Sequence, residues 1–342
     1  MPLFNFNDSV NYLSKLTWRR CINIIKVYSS YLANKLSSKP IQWGLPISVA
    51  IEPTTSCNLR CPECPSGLRA FTRPTGMLEQ HFFTRTIDSI AKDISYLIFY
   101  FQGEPYLNPA FLDMVKHAHK HKIYTATSTN AHYLTKENAT KTVLSGLDRL
   151  IISIDGTTQE VYEQYRIGGK LSKVLEGARN IVAAKQELKS KKPFIIFQFL
   201  VVKPNEHQIK EVQQLAKQVG VDQLRLKTAQ VYDYITDPNQ LIPNNKKYSR
   251  YKYDDNGNMQ YKANLANTCW RIHHAPVITW DGLVVPCCFD KDATHQLGNL
   301  QMQDFKTIWK NENYQYFRQQ LKKGRNHIDI CTNCSEGAQV WE

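Results

Sequence analysis

Three cysteines decide what chemistry this chain can do. Cys57, Cys61 and Cys64 stand in the run Cys57-Asn58-Leu59-Arg60-Cys61-Pro62-Glu63-Cys64, a C-x3-C-x2-C spacing. Three thiolates can hold three irons of a four-iron cluster. Because such clusters normally take four cysteine ligands, a local set of three leaves one iron open to a ligand that is not protein. An open position marks a site for chemistry rather than scaffolding, as it does for catalytic zinc. Zinc bound by the same thiols is the alternative, since C-x2-C alone is more typical of zinc ribbons. A second set, Cys269, Cys287, Cys331 and Cys334, ends in Cys331-Thr332-Asn333-Cys334. Four thiolates brought together close a cluster completely, and zinc is again the alternative. Cys288 reads as a spare thiol.

The elements that must position these cysteines form a series. Apolar segments rich in β-branched or aromatic residues occupy 46–52, 95–101, 123–129, 147–154, 194–202 and 223–228, each separated from the next by a stretch of helical patterning. That alternation predicts a parallel sheet with right-handed crossovers. Polar residues follow the strands: the first cysteine set, then Gln102-Gly103-Glu104-Pro105, Ser128-Thr129-Asn130, Ser153-Ile154-Asp155-Gly156 and Lys203-Pro204-Asn205. In a parallel barrel or open α/β sheet these loops converge at one mouth, where ligands bind. Each short motif alone reads as a turn or a helix cap. Further on, 277–285 reads as a hairpin around Asp281-Gly282, placing Cys269 before it and Cys287 after it. A helix carrying Phe305, Ile308, Trp309, Phe317 and Leu321 on its apolar side follows.

The ordered set of cysteine loop and strand ends resembles the radical SAM superfamily. The resemblance implies an α/β fold, a partial (β/α)6 barrel, with a small C-terminal hairpin-and-helix module for an auxiliary cluster. It implies a [4Fe-4S] cluster on Cys57, Cys61 and Cys64 whose open iron binds S-adenosylmethionine, cleaved reductively to a 5′-deoxyadenosyl radical. By the same resemblance Gly103 and Glu104 receive the methionyl ammonium, and Ser128 and Asn130 reach the ribose or methionyl group. Ser153 and Asp155 make polar contacts at the fourth strand, Arg166 pairs with the methionyl carboxylate, and the backbone around Val202 meets the adenine. For Asp155 a helix-cap role stands beside this, as a surface role does for Arg166. Cys269, Cys287, Cys331 and Cys334 resemble the ligands of SPASM and twitch modules, implying a second, auxiliary [4Fe-4S] cluster. No cysteine follows Cys334 in the eight residues to Glu342, which resembles the shorter twitch form. An external one-electron reductant such as flavodoxin or ferredoxin is implied as partner.

The chain divides into a basic amphipathic region at 1–45, the core barrel at 46–230, a linker or substrate loop at 231–268 and the auxiliary module at 269–342. Its 342 residues carry nine cysteines and a net charge of +13. The cysteines are too few and too clustered for a secreted disulfide scaffold. No signal peptide and no long apolar run is present, so a cytoplasmic protein is expected. The charge is spread through Lys-rich helices rather than gathered on a recognition module, which argues against nucleic acid. Trp18, Cys21, Ile22, Ile25, Tyr28, Leu32 and Leu36 recur at helical spacing among Arg19, Arg20, Lys26 and Lys35. That predicts a helix docked on the barrel or lying on an anionic bilayer. His117 and His121 share a helix face and read as surface; His273 and His274 read as packing. The substrate classes left open are a peptide side chain, a sugar or aminocyclitol, and a lipid-linked compound. A non-catalytic electron-transfer or zinc-stabilised binding protein is the rival function.

Overall fold

The computed structural model describes residues 6–262 and 267–334. Six parallel strands form the core: β1 (Ser48–Ile51), β2 (Tyr96–Ile98), β3 (Tyr124–Thr129), β4 (Arg149–Ser153), β5 (Phe194–Val201) and β6 (Gln223–Thr228). They pair in sequence order, as the alternation of strands and helices predicts. Their side chains alternate between two faces. Val49, Ile51, Leu97, Phe99, Leu150, Ile152, Phe197 and Phe199 point to the surrounding helices and form the main core. The helix Gln80–Ile90 meets that core with Phe82, Phe83, Ile87 and Ile90. Ala50, Ile151 and Ile196 face the other way, into the barrel.

The C-terminal hairpin joins the sheet of the barrel. Strand β9 (Val277–Ile278) lies parallel to β1, with Ala50 opposite Val277 and Ile51 opposite Ile278. β10 (Leu283–Val285) and β11 (Gly298–Asn299) extend it antiparallel, giving one nine-stranded sheet in the order β11-β10-β9-β1-β2-β3-β4-β5-β6. The first strand of an open barrel has an unpaired edge, and pairing with β9 removes it.

Two stretches carry more structure than their sequence patterning shows. The stretch 231–268 contains a hairpin, β7 (Tyr251–Tyr253) and β8 (Met259–Tyr261), turning at Gly257 with φ +78°. Asn256-Gly257 is a strong hairpin signal that the polar composition hid. The helix after β11 is two helices, Phe305–Lys310 and Glu312–Lys323; the Asn311 side chain accepts from Tyr314 N and caps the second.

At the N-terminus α1 (Phe6–Leu13) closes the lower end of the barrel, its Asp8 accepting from Tyr124 OH and pairing with Arg149. α2 (Trp18–Leu36) docks on the barrel, by its polar side: Arg20, Asn23, Ser30 and Asn34 are buried. No helix among the described residues is long and apolar enough to cross a membrane. His117 and His121 both reach Asp88, at 2.7 and 2.8 Å. His273 is buried against Gln42 and His274 stacks on Trp270, so both pack as expected.

Candidate active site and auxiliary cysteine site

The first cysteine loop leaves β1 and is held from several sides. Glu52, the residue after β1, takes both guanidinium nitrogens of Arg73 at 2.6 and 2.9 Å, a fully buried pair that fastens the far end of the loop to the strand. Arg60 N donates to Ile167 O at 2.9 Å. Gly103 N donates to Ser66 Oγ at 2.9 Å, and Glu104 N to Ser56 O at 2.7 Å. These bonds press the loop after β2 onto the cysteine loop so closely that a Cβ at Gly103, whose φ is +73°, would lie 2.1 Å from Thr54 O. Only glycine fits there.

Glu104 is buried at this junction. Its carboxylate accepts from Thr129 Oγ1 at 2.6 Å, Asn130 N at 2.8 Å and Tyr106 N at 3.4 Å. Burial raises the carboxyl to about 7 despite those donors; an approaching cation favours its ionised form. Asn130 Nδ2 in turn meets Asn58 Oδ1 at 2.8 Å and lies 4.0 Å from Cys57 Sγ. The ends of β2 and β3 therefore join the cysteine loop, as the strand-end pattern implied.

On the other side Arg166 Nε donates to Asp155 Oδ2 at 2.5 Å, while its Nη1 sits 3.6 Å from Cys61 Sγ. Asp155 also accepts from Leu200 N at 2.7 Å. Arg166 is thus no surface residue, and the carboxylate it meets within the chain is that of Asp155. Val202 packs with Leu59, Cys61 and Tyr165, placing the end of β5 against the same loop. Ser128 and Ser153 face the barrel interior, since Ser128 pairs with Ile151 of the inner cluster and Ser153 lies two residues further along β4.

Thr129 and Asn205 stand in the strand-end motifs without a role of their own, and Asn58 lies between Cys57 and Cys61 with no signal beyond that position. Asn205 is fully buried, donating to Asp155 O at 3.0 Å and Leu200 O at 2.9 Å. The hairpin region was missed as well: Val231, Leu241, Tyr251, Tyr234 and Tyr261 cover the cysteine loop in one apolar cluster. Its shielding raises the Cys57 thiol to about 11 and the Cys61 thiol upward, through burial.

The second cysteine set, Cys269, Cys287, Cys331 and Cys334, lines one cavity together with Arg271, Phe317, Leu321 and Arg325. Cys288 turns away to the inner wall beside Ala50, Val277 and Val285. A tie runs between the two sites: Tyr251 OH meets Asn333 Oδ1 at 3.0 Å.

Both sets fit iron-sulfur clusters better than single zinc ions. A zinc bonded to sulfur at about 2.3 Å holds tetrahedral thiolates about 3.8 Å apart. Among the described residues, the group of three or more possible ligands whose atoms all lie within 4.8 Å is Asp88, His117 and His121, and neither cysteine set draws together so tightly. Around the first set, N–H donors from Leu59, Asn130 and Arg166 approach the sulfurs at 3.5 to 4.0 Å, the kind of hydrogen bonding that tunes clusters.

Fold and site together define an α/β enzyme built around a parallel barrel and two sets of cysteines suited to metal. Residues 51–219 match the family profile of the radical SAM superfamily, and residues 269–335 that of SPASM, an iron-sulfur cluster-binding domain. The chain belongs to the radical SAM superfamily and carries a SPASM module. Its cofactors are [4Fe-4S] clusters and S-adenosylmethionine. The tungsten-containing aldehyde ferredoxin oxidoreductase cofactor-modifying protein of Pyrococcus furiosus is 28% identical over 321 residues, 83% of this chain and 86% of that one. The mycofactocin maturase MftC of Mycobacterium tuberculosis is 30% identical over 139 residues, 41% of this chain and 35% of that one. Among solved structures, BtrN in complex with AdoMet and 2-DOIA superposes with a TM-score of 0.54 at 19% identity, covering 86% of this chain and 94% of BtrN.

The Asp155–Arg166 pair yields a direct test. Removing one partner of a buried ion pair leaves the other charge uncompensated. Asp155→Ala is expected to destabilise the protein by about 3 to 5 kcal/mol, read from the urea midpoint, with a smaller loss for Asp155→Asn, whose side-chain oxygen still accepts from Leu200 N.

Proposed function

We propose that this enzyme removes a hydrogen atom from a carbon of a substrate that carries an anionic group. The observation that supports the anionic class is the inner wall of the barrel at β5 and β6. Paired residues on neighbouring strands share a face, so Ser153, Gln198 and Arg225 form one inward row, and Leu200 and Lys227 the next. Their outward neighbours Phe197, Phe199 and Leu224 lie in the helix-facing core. Arg225 donates its Nε to Gln223 at 3.0 Å, and Arg250 bonds Thr228 through Nε and Nη2. Arg250 Nη1 is buried with no partner. Burial lowers the Lys227 ammonium from the ordinary lysine value, and repulsion from Arg225, Arg250 and Arg271 adds to it. A wall of like charges is held together best by an anion that bridges it.

When bound, the catalytic cluster and S-adenosylmethionine supply the deoxyadenosyl radical. The chain's own part is positioning. Cys57, Cys61 and Cys64 hold the cluster, with Gly103, Glu104, Ser128, Asn130, Ser153, Asp155, Arg166 and the backbone at Val202 around the cofactor. Glu104 offers its carboxylate to the methionyl ammonium, and the Tyr251 hairpin excludes water from the cysteine loop. Cys269, Cys287, Cys331 and Cys334 hold one auxiliary cluster, in the twitch manner, and electrons arrive from an external flavodoxin- or ferredoxin-like protein in the cytoplasm. A precursor peptide is one source of such an anion, through its carboxylates; a phosphorylated sugar or a lipid phosphate is the other.

With candidate substrates deuterated at carbon, deuterium is expected to enter 5′-deoxyadenosine only for those bearing a carboxylate or phosphate. Lys227→Gln should raise KM about tenfold to a hundredfold, the worth of a charged hydrogen bond, while leaving iron content unchanged. Equal transfer from an uncharged analogue sinks the anionic reading.

A further inference from the structure

The amphipathic helix α2 is mounted with its apolar face outward. Its buried side is polar and hydrogen-bonded to backbone. Arg20 donates to the carbonyls of Lys15, Ala91, His121 and Lys122 at 2.6 to 2.9 Å. Asn23 exchanges hydrogen bonds with Leu45, and Asn34 accepts from Ile41 N. On the opposite side Trp18, Ile25, Tyr28, Leu32 and Leu36 are 81, 63, 54, 43 and 94% exposed. At 100° per residue these five fall within an arc of about 80°, and Arg20, Asn23, Val27, Ser30 and Asn34 within an equal arc diametrically across the helix. Packing against the barrel therefore does not account for the apolar stripe.

We infer that this stripe is a membrane-contact surface and that its partner is an anionic bilayer. Lys35 borders the stripe on one side and Lys26 stands on the other flank, about 80° round from it, and α2 contains no acidic residue. Arg19 is already paired with Asp93, which leaves Lys26, together with Lys35 whose ammonium lies 4.8 Å over the Tyr31 ring, as the charges facing lipid. A helix of 19 residues extends about 28 Å, and an apolar stripe of that length edged by lysines is the pattern of a helix lying in the bilayer interface. A second copy of the chain is the poorer occupant, because it would set lysine edge against lysine edge. The carbonyls that hold Arg20 precede β2 and β3, at the end of the barrel opposite the cysteine loop. The stripe therefore attaches the enzyme with its mouth turned away from the lipid. This inference stands apart from the substrate reading.

The test is sedimentation of the full-length protein with vesicles of phosphatidylcholine alone or with about one-third phosphatidylglycerol. The protein is expected to sediment with the anionic vesicles, to be released as salt rises through the range where Debye screening shortens, and to shift its tryptophan emission to the blue. Lys26→Gln with Lys35→Gln should weaken partitioning at least tenfold, about fivefold for each lysine. Ile25→Asn with Leu32→Asn, both exposed, should abolish it while circular dichroism and iron content stay as in wild type. Equal sedimentation with both vesicles, none at low salt, or wild-type partitioning of the asparagine variant overturns the inference. So does a micromolar homodimer that the asparagine variant dissolves, which would assign the stripe to self-association.

Discussion

Protein with Cys57, Cys61 and Cys64 all replaced by alanine is expected to hold about four irons after anaerobic reconstitution where wild type holds about eight. It should release no 5′-deoxyadenosine from S-adenosylmethionine and reductant. On the proposed ligand assignment the loss is complete, because a local set of three thiols leaves none in reserve. The fold should survive. The loop is held by Glu52–Arg73, by Gly103 N to Ser66 Oγ and by Arg60 N to Ile167 O, none of which uses a cysteine side chain. Iron analysis, the visible absorption band and chromatography of the nucleoside read the outcome. Wild-type iron in the triple variant would remove these residues from the metal site.

Replacing Cys331 and Cys334 with alanine should produce the complementary result. About four irons remain, 5′-deoxyadenosine is still released, and substrate is no longer carried to product. The separation follows from where the groups sit. The catalytic loop and its companions Glu104, Asn130 and Arg166 belong to the strand ends of the barrel, whereas Cys331 and Cys334 line a cavity among Arg271, Phe317, Leu321 and Arg325. Three hydrogen bonds link them, Tyr251 OH to Asn333 Oδ1, Asn333 Nδ2 to Val231 O and Tyr261 OH to Cys334 O, so a milder Cys334→Ser variant guards against disturbing the hairpin. Full turnover by both variants would reduce the auxiliary module to a structural role; loss of deoxyadenosine as well would mean that the sites are not separable.

The sequence by itself determined the class of chemistry and the frame that carries it. Cysteine spacing is local, so C-x3-C-x2-C could be read without knowing any contact, and periodicity located the six parallel strands and the polar ends that gather at one mouth. The hairpin at Asp281-Gly282 was legible for the same reason. Contacts between distant segments decided the rest. No local pattern foretold that β9 would pair with β1, because an edge strand needs a partner and does not specify which one. The Tyr251 hairpin lay hidden in a polar stretch, although its Tyr251 and Tyr261 become part of the cover of the catalytic loop. Asp155 and Arg166 each had two readings until tertiary structure placed them 2.5 Å apart. The same holds for α2: its amphipathicity was visible in the sequence, but which face meets the barrel depended on backbone carbonyls from three separate loops. Hydrophobic patterning states that a face wants burial, and hydrogen-bonding partners far along the chain decided that here the polar face was buried instead.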